Sequence, residues 1–176
     1  TLAFAGPALN YTAAEPVSLA NNANVSNISG TNTFAGAFTL ASNGAANLGA
    51  VAGSLALSGS VAPSGTTGTV NLSESVGATL NITGATNLGG ASVLTYNNAV
   101  AGTQPEVSGP VNLGAAGNLN LTGAGDILVS GVVSGTGAAP NNAVNKSGNG
   151  TATLSNSNTY IGATNILAGT LIADAN

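Results

Sequence analysis

Charge is nearly missing from this chain. One residue of 176 is Lys or Arg, five are Asp or Glu and none is His, for a formal net charge of -4 and a charged fraction of 3%, where ordinary soluble domains carry about a quarter. The single cation, Lys146, cannot neutralise a run of phosphates, which argues against nucleic acid as a partner and against anionic membrane surfaces on the same ground. Acid–base catalysis needs a His, or groups whose pKa values are driven apart by their surroundings. Glu15, Glu74, Glu106, Asp126 and Asp174 are scattered singly along the sequence. The chain is therefore not expected to be an enzyme, and no residue is assigned as catalytic, cofactor-binding or metal-ligating. Gly123-Ala-Gly-Asp126 occurs once and reads as a turn whose Asp bonds its own backbone, not as a repeated calcium loop. Cysteine is absent, which removes any disulfide framework. Three Tyr, three Phe and no Trp are too few for a platform that grips carbohydrate or single strands. No apolar run reaches the length of about eighteen residues expected of a membrane-spanning helix. The chain opens with neither Met nor a charged segment leading into an apolar one, which reads as a processed, mature product.

What fills the space is Gly, Ala, Asn, Ser and Thr. Ala is common but never sustains an i, i+3, i+4 apolar stripe, so helix is unsupported. Strands are supported repeatedly: Ser54–Ser58, Thr69–Ser73, Thr79–Thr83, Asn118–Thr122 and Thr151–Ser155 alternate polar and apolar residues, the period of a strand with one buried face. Glycines such as Gly59, Gly77, Gly84, Gly123 and Gly131 punctuate these pulses, with roughly ten residues from one strand to the next, a spacing that fits a parallel β-solenoid or an antiparallel β-sandwich. Taken as a solenoid of about twenty residues per coil, the chain supplies about eight or nine coils and a rod of roughly 40 Å.

The C-terminal stretch is more specific. It has a glycine-rich turn at Gly148 and Gly150, a Thr-Leu-Ser strand ending at Ser155, an Asn-Thr-Tyr-x-Gly corner from Asn158 to Gly162 and an Ala-Gly-Thr-Leu segment from Ala168 to Leu171. This string, over about the last fifty residues, resembles the autotransporter-associated β-strand repeat of secreted bacterial surface proteins, and the segment from Asn32 to Leu40 looks like a degenerate second copy of the same corner. The resemblance implies an all-β, right-handed parallel β-helix at the cell surface or outside the cell, in a stalk, adhesin or matrix protein. It sets this fold ahead of the alternative, an antiparallel sandwich or jelly-roll subunit with a donated N-terminal strand. It also implies that Lys146 is a solvated cation ahead of a glycine turn, and that Phe34, Tyr160 and Gly162 are structural repeat corners. Relatives usually carry a C-terminal membrane barrel, and nothing here resembles one.

Residues 1–20 carry Pro7 and Pro16 and little turn punctuation; they read as an extended arm or an irregular first coil, ahead of a single solenoid domain over residues 21–176. Leu2, Phe4 and Leu9 on that arm are candidates for adding a strand to a neighbouring subunit. Frequent Asn on the strands suggests amides stacked in ladders inside the solenoid. Because like charge is a main device that keeps monomers and sheet edges apart, the expected function is a self-assembling structural subunit of a surface filament, sheath or matrix fibre, through end stacking or strand exchange. The alternative is an adhesive passenger or stalk fragment, with a host or surface ligand that the sequence leaves unspecified.

Overall fold

The computed structural model describes residues 1–40, 43–63, 67–136 and 142–174. All regular structure among them is β, and every strand pair is parallel. Three sheets of eight, eight and six strands run along the rod. Within each sheet the neighbours are every third strand of the sequence, as in the order beginning Leu2–Ala5, Ala23–Ser29, Ala45–Ala50 and Thr69–Glu74, except at the last step of the two longer sheets, where they are every second. The chain is therefore a β-solenoid with three faces per coil. The sandwich alternative required antiparallel pairs and is set aside.

All five strands read from alternation are present, as Gly53–Leu57, Thr69–Glu74, Ala78–Ile82, Asn118–Gly123 and Thr151–Leu154. The expected coil of about twenty residues is too short for most of the rod. Stacked asparagines lie 23, 24 and 25 residues apart along it and 20 apart only at the last step. The cause is the third face, whose strands, such as Val61–Pro63, Thr86–Asn87 and Val111–Asn112, are only two or three residues long and too brief to show a sustained alternation. Eight rungs, not nine, are stacked on the two longer faces. The irregular segment from Val100 to Pro110 is a loop only in part, since Glu106–Val107 is a strand of the second sheet.

The core is a set of inward columns. One runs Leu2, Val25, Leu48, Leu72, Tyr96, Leu121, Lys146, Ile166 along the first sheet. Another runs Tyr11, Phe34, Leu57, Ile82, Val107, Val129, Leu154, Ala173 along the second. The middle members are almost wholly buried, each such aliphatic side chain contributing about 1.5–3 kcal/mol relative to exposure.

Glycine sets the bends. Gly30, Gly53, Gly77, Gly102, Gly148 and Gly169, between the first and second sheets, all have φ between 71 and 83, a backbone region that costs side-chain-bearing residues energy. Between the second and third sheets stands another column, Gly36, Gly59, Gly84, Gly109 and Gly131. A Cβ on any of the last four would lie 2.0 Å from the carbonyl oxygen of the glycine one coil earlier. The coil period was thus written in the sequence as paired glycines, Gly30 and Gly36, Gly53 and Gly59, Gly77 and Gly84, Gly102 and Gly109.

Residues 2–19 form the first coil. Leu2–Ala5, Asn10–Tyr11 and Val17–Leu19 each pair in parallel with the strand one coil on. The segment, read as an extended arm or an irregular first coil, is here laid on its own chain as a coil.

Candidate functional site

Among the described residues there is no pocket and no group of three or more acidic or His side chains that could hold a metal. The surfaces available for function are the outer faces and the two ends.

The first sheet carries an outward asparagine ladder. Asn47 Nδ2 donates to Asn24 Oδ1 at 2.9 Å, Asn71 to Asn47 at 3.0 Å, Asn145 to Asn120 at 2.8 Å and Asn165 to Asn145 at 2.8 Å. Thr95 takes the place of Asn in the middle, accepting from Asn120 at 3.4 Å. The expectation of amide ladders inside the solenoid is corrected: the laddered positions alternate with the core columns and so point outward, leaving Asn24, Asn47 and Asn165 exposed.

Buried polar side chains instead gather at the bend between the first and second sheets. Asn27 Nδ2 donates to the carbonyls of Gly30 and Ala52 at 3.0 and 2.6 Å. Asn32 donates to Asn27 Oδ1 at 2.6 Å and accepts the Leu9 N–H at 2.7 Å, so the first coil is tied down by two buried amides. Asn98 donates to the carbonyls of Thr103 and Asp126. Asp126 bonds not its own turn but the Thr151 N–H of the next coil, at 2.8 Å.

Lys146 performs the same task and overturns the expectation of a solvated cation. It shares the parity of Val144 on its strand and stacks between Leu121 and Ile166, so its side chain points inward and is 2% exposed. Its Nζ donates to the carbonyls of Ser147 and Gly148, both at 2.9 Å, and of Ala168 at 3.4 Å. Burial lowers its pKa below the ordinary lysine value, while the Asp126 charge pulls it back up. The useful signal in the sequence was the spacing to Val144 and Ile166, which places Lys146 in a core column.

The two ends of the rod differ. At the N-terminal end Phe34 is surrounded by Phe4, Tyr11 and Phe38, with ring centroids 5.6, 5.1 and 4.9 Å away, and this aromatic plug leaves Phe4, Phe34 and Phe38 buried. Leu2 is partly buried against the core, while Leu9 and Tyr11 stay on the surface. At the C-terminal end Thr164–Ile166 and Thr170–Ala173 are the last strands of the two longer sheets. Ile161 is 62%, Ile166 56%, Leu167 76% and Ile172 44% exposed. Tyr160 packs against the core from a half-buried position and hydrogen-bonds Thr164 Oγ1 at 2.7 Å; Gly162 lies in the bend just before Thr164. Phe34 and Tyr160 do not stack in one column. Phe34 ends a strand of the second sheet, whereas Tyr160 follows Thr159, whose N–H bonds the Val133 carbonyl of the third.

The C-terminal segment holds two strand pairs stacked one coil apart. Val144–Lys146 pairs with Thr164–Ile166, and Thr151–Leu154 with Thr170–Ala173. A family model, the passenger-associated-transport-repeat, matches residues 144–173, the same four strands. Residues 144–173 thus match a passenger-associated transport repeat. In this fold the repeat is one coil together with the first two faces of the next. No curated protein and no solved structure gave a match to the chain. The repeat and the β-solenoid together fit an autotransporter-passenger-like surface protein.

Proposed function

We propose that the chain is a non-catalytic structural subunit of an extracellular surface assembly, joined to further copies of itself end to end. The observation that carries this reading is the last rung, where four large aliphatic side chains lie exposed beside two strand edges that are unpaired among the described residues. Such an edge is a template for another strand, and almost no charge opposes a second copy there. Continuing the inward columns across the junction brings Leu2 of the next copy over Ile166 and Tyr11 over Ala173, a large ring above a small side chain. Leu9, one of the residues singled out in the sequence, then covers Leu171. This is a heterologous, head-to-tail contact, the kind that extends into a filament when it does not close.

The test is electron microscopy and sedimentation of the 176-residue chain over a concentration series, beside Leu167→Lys. The expected result is rods that lengthen with concentration, and shorter species for the variant with its melting unchanged. A monodisperse monomer at every concentration sinks the filament reading. It leaves the stalk or adhesive passenger reading, which the match to a passenger-associated repeat supports and in which the last rung is covered by other parts of a longer chain.

A further inference from the structure

Glu74 is the one carboxylate placed in the core, 7% exposed at the inner end of Thr69–Glu74. Its hydrogen bonds do not balance for an ion. Tyr96 Oη lies 2.5 Å from the Leu80 carbonyl oxygen and 3.0 Å from Glu74 Oε1. A phenol has one hydrogen to give, and a backbone carbonyl can only accept. The nearer Leu80 oxygen takes that hydrogen, so the contact between Tyr96 and Glu74 lacks a proton unless the carboxyl supplies one. Oε1 also accepts the Leu80 N–H at 2.9 Å, while Oε2 is buried with no partner. An ionised group here would set one oxygen against a phenol lone pair and leave the other bare, a costly arrangement for a buried charge.

The neighbours offer no compensating cation. Ala50 is the register partner in the preceding strand, Leu80 comes from Ala78–Ile82 and Tyr96 from Val93–Asn98. Tyr96, itself fully buried, is the titratable group that faces it. At the same bend Asn27 and Asn98 act through neutral amides. A protonated glutamic acid, with one donor and acceptor oxygens, has the hydrogen-bonding character of such an amide.

We infer that Glu74 is held as the neutral carboxylic acid and that its ionisation is a proton-controlled weak point in the middle of the rod. Burial raises its pKa above the ordinary glutamate value, against the opposing pull of the Leu80 N–H. In the interval between the ordinary value near about 4.3 and the raised one, the folded chain holds a proton that the unfolded chain has lost. Stability is full below that interval and falls as pH rises through it, by up to about tenfold in the folding equilibrium constant per pH unit.

The experiment is urea unfolding of the full chain and of Glu74→Gln from about pH 4 to about pH 8, with infrared spectroscopy of the carboxylic-acid carbonyl stretch. The expected result is a wild-type urea midpoint that drops with pH, a midpoint for Glu74→Gln that does not share the drop, and a protonated-carboxyl band in wild type that outlasts the ordinary glutamate range and disappears in the variant. Equal pH slopes for the two proteins would overturn the inference. Should Glu74→Gln fail to fold, the infrared titration of wild type decides alone: a band lost entirely near the ordinary glutamate value refutes the neutral acid.

Discussion

Lys146 is the chain's only cationic side chain, and the fold spends it on three backbone carbonyls inside the last full bend. Its worth lies in hydrogen bonding and in the methylenes it adds to the core column, since the charge itself is opposed by burial. Replacing it separates these parts. Lys146→Met keeps the length and removes the donors, and should cost about 1–2 kcal/mol by denaturant unfolding; Lys146→Ala removes the packing too and should cost about 2–4 kcal/mol. Equal, negligible losses in both would mean that the ammonium group ties nothing together. The pH dependence runs opposite to that of Glu74. With its folded pKa lowered, the folded protein sheds this proton before the unfolded chain does, so the contribution of Lys146 grows as pH rises from the lowered value toward the ordinary one near about 10.4. At this scale the sequence was legible where alternation could be trusted literally. Val144 and Lys146 share a parity, and parity, not polarity, decided which way the lysine points. The asparagines followed the same rule in the other direction, since Asn47 and Asn71 alternate with Ala46, Leu48, Val70 and Leu72 and had to face out.

The bends are made by glycine for two different reasons, and substitution should tell them apart. Gly77 has φ of 74 with open space around its missing Cβ, so only backbone conformation is at stake. Gly77→Asn should be nearly silent and Gly77→Ala should cost about 1 kcal/mol. Gly84 is required by contact: a Cβ there would sit 2.0 Å from the Gly59 carbonyl oxygen, in backbone that is itself hydrogen-bonded coil to coil. Gly84→Ala should cost about 3 kcal/mol or more, with no relief from Asn. Thermal or urea unfolding of the four single variants checks the contrast, and a Gly84→Ala protein as stable as wild type would refute the stacked-glycine account. The strands of the two longer faces were readable because their cores alternate cleanly over five or six residues. The third face was not, because Val111–Asn112 and Val133–Ser134 offer one inward residue each, and a single apolar residue has no period. Counting two strands per coil where there are three shortened the coil in prospect. The glycine pairs at Gly30 and Gly36 and at Gly53 and Gly59 held the correct spacing.

A stack in which each coil touches only its neighbours gains stability rung by rung, and its ends open first. The two ends here are unequal. The first coil is held by Phe4, Phe34 and the Asn27–Asn32 amides, the last by a rung whose side chains are largely exposed. Hydrogen exchange on dilute protein should therefore show amides of Thr164–Ile166 and Thr170–Ala173 exchanging fastest, those of Leu2–Ala5 more slowly, and those of Thr69–Glu74 and Val93–Asn98 slowest. Uniform protection from end to end would contradict the asymmetry. At higher concentration, protection gained selectively by the last rung would mark it as the contact surface. The ends were the part of the candidate site that sequence reasoning reached least well. Leu2, Phe4 and Leu9 could be seen to be apolar, but their packing depends on coils more than twenty residues away, and the exposed last rung is a property of stacking, not of any local pattern.

The asparagine ladder on the first sheet has a direction. Each amide of the series Asn47, Asn71, Asn145 and Asn165 gives its hydrogen to the oxygen of the coil before it. The row of side-chain dipoles thus points one way along the axis, as the parallel backbone does. A fibre built from such rods would have a plus end and a minus end that differ chemically, so that its two tips would lengthen at different rates.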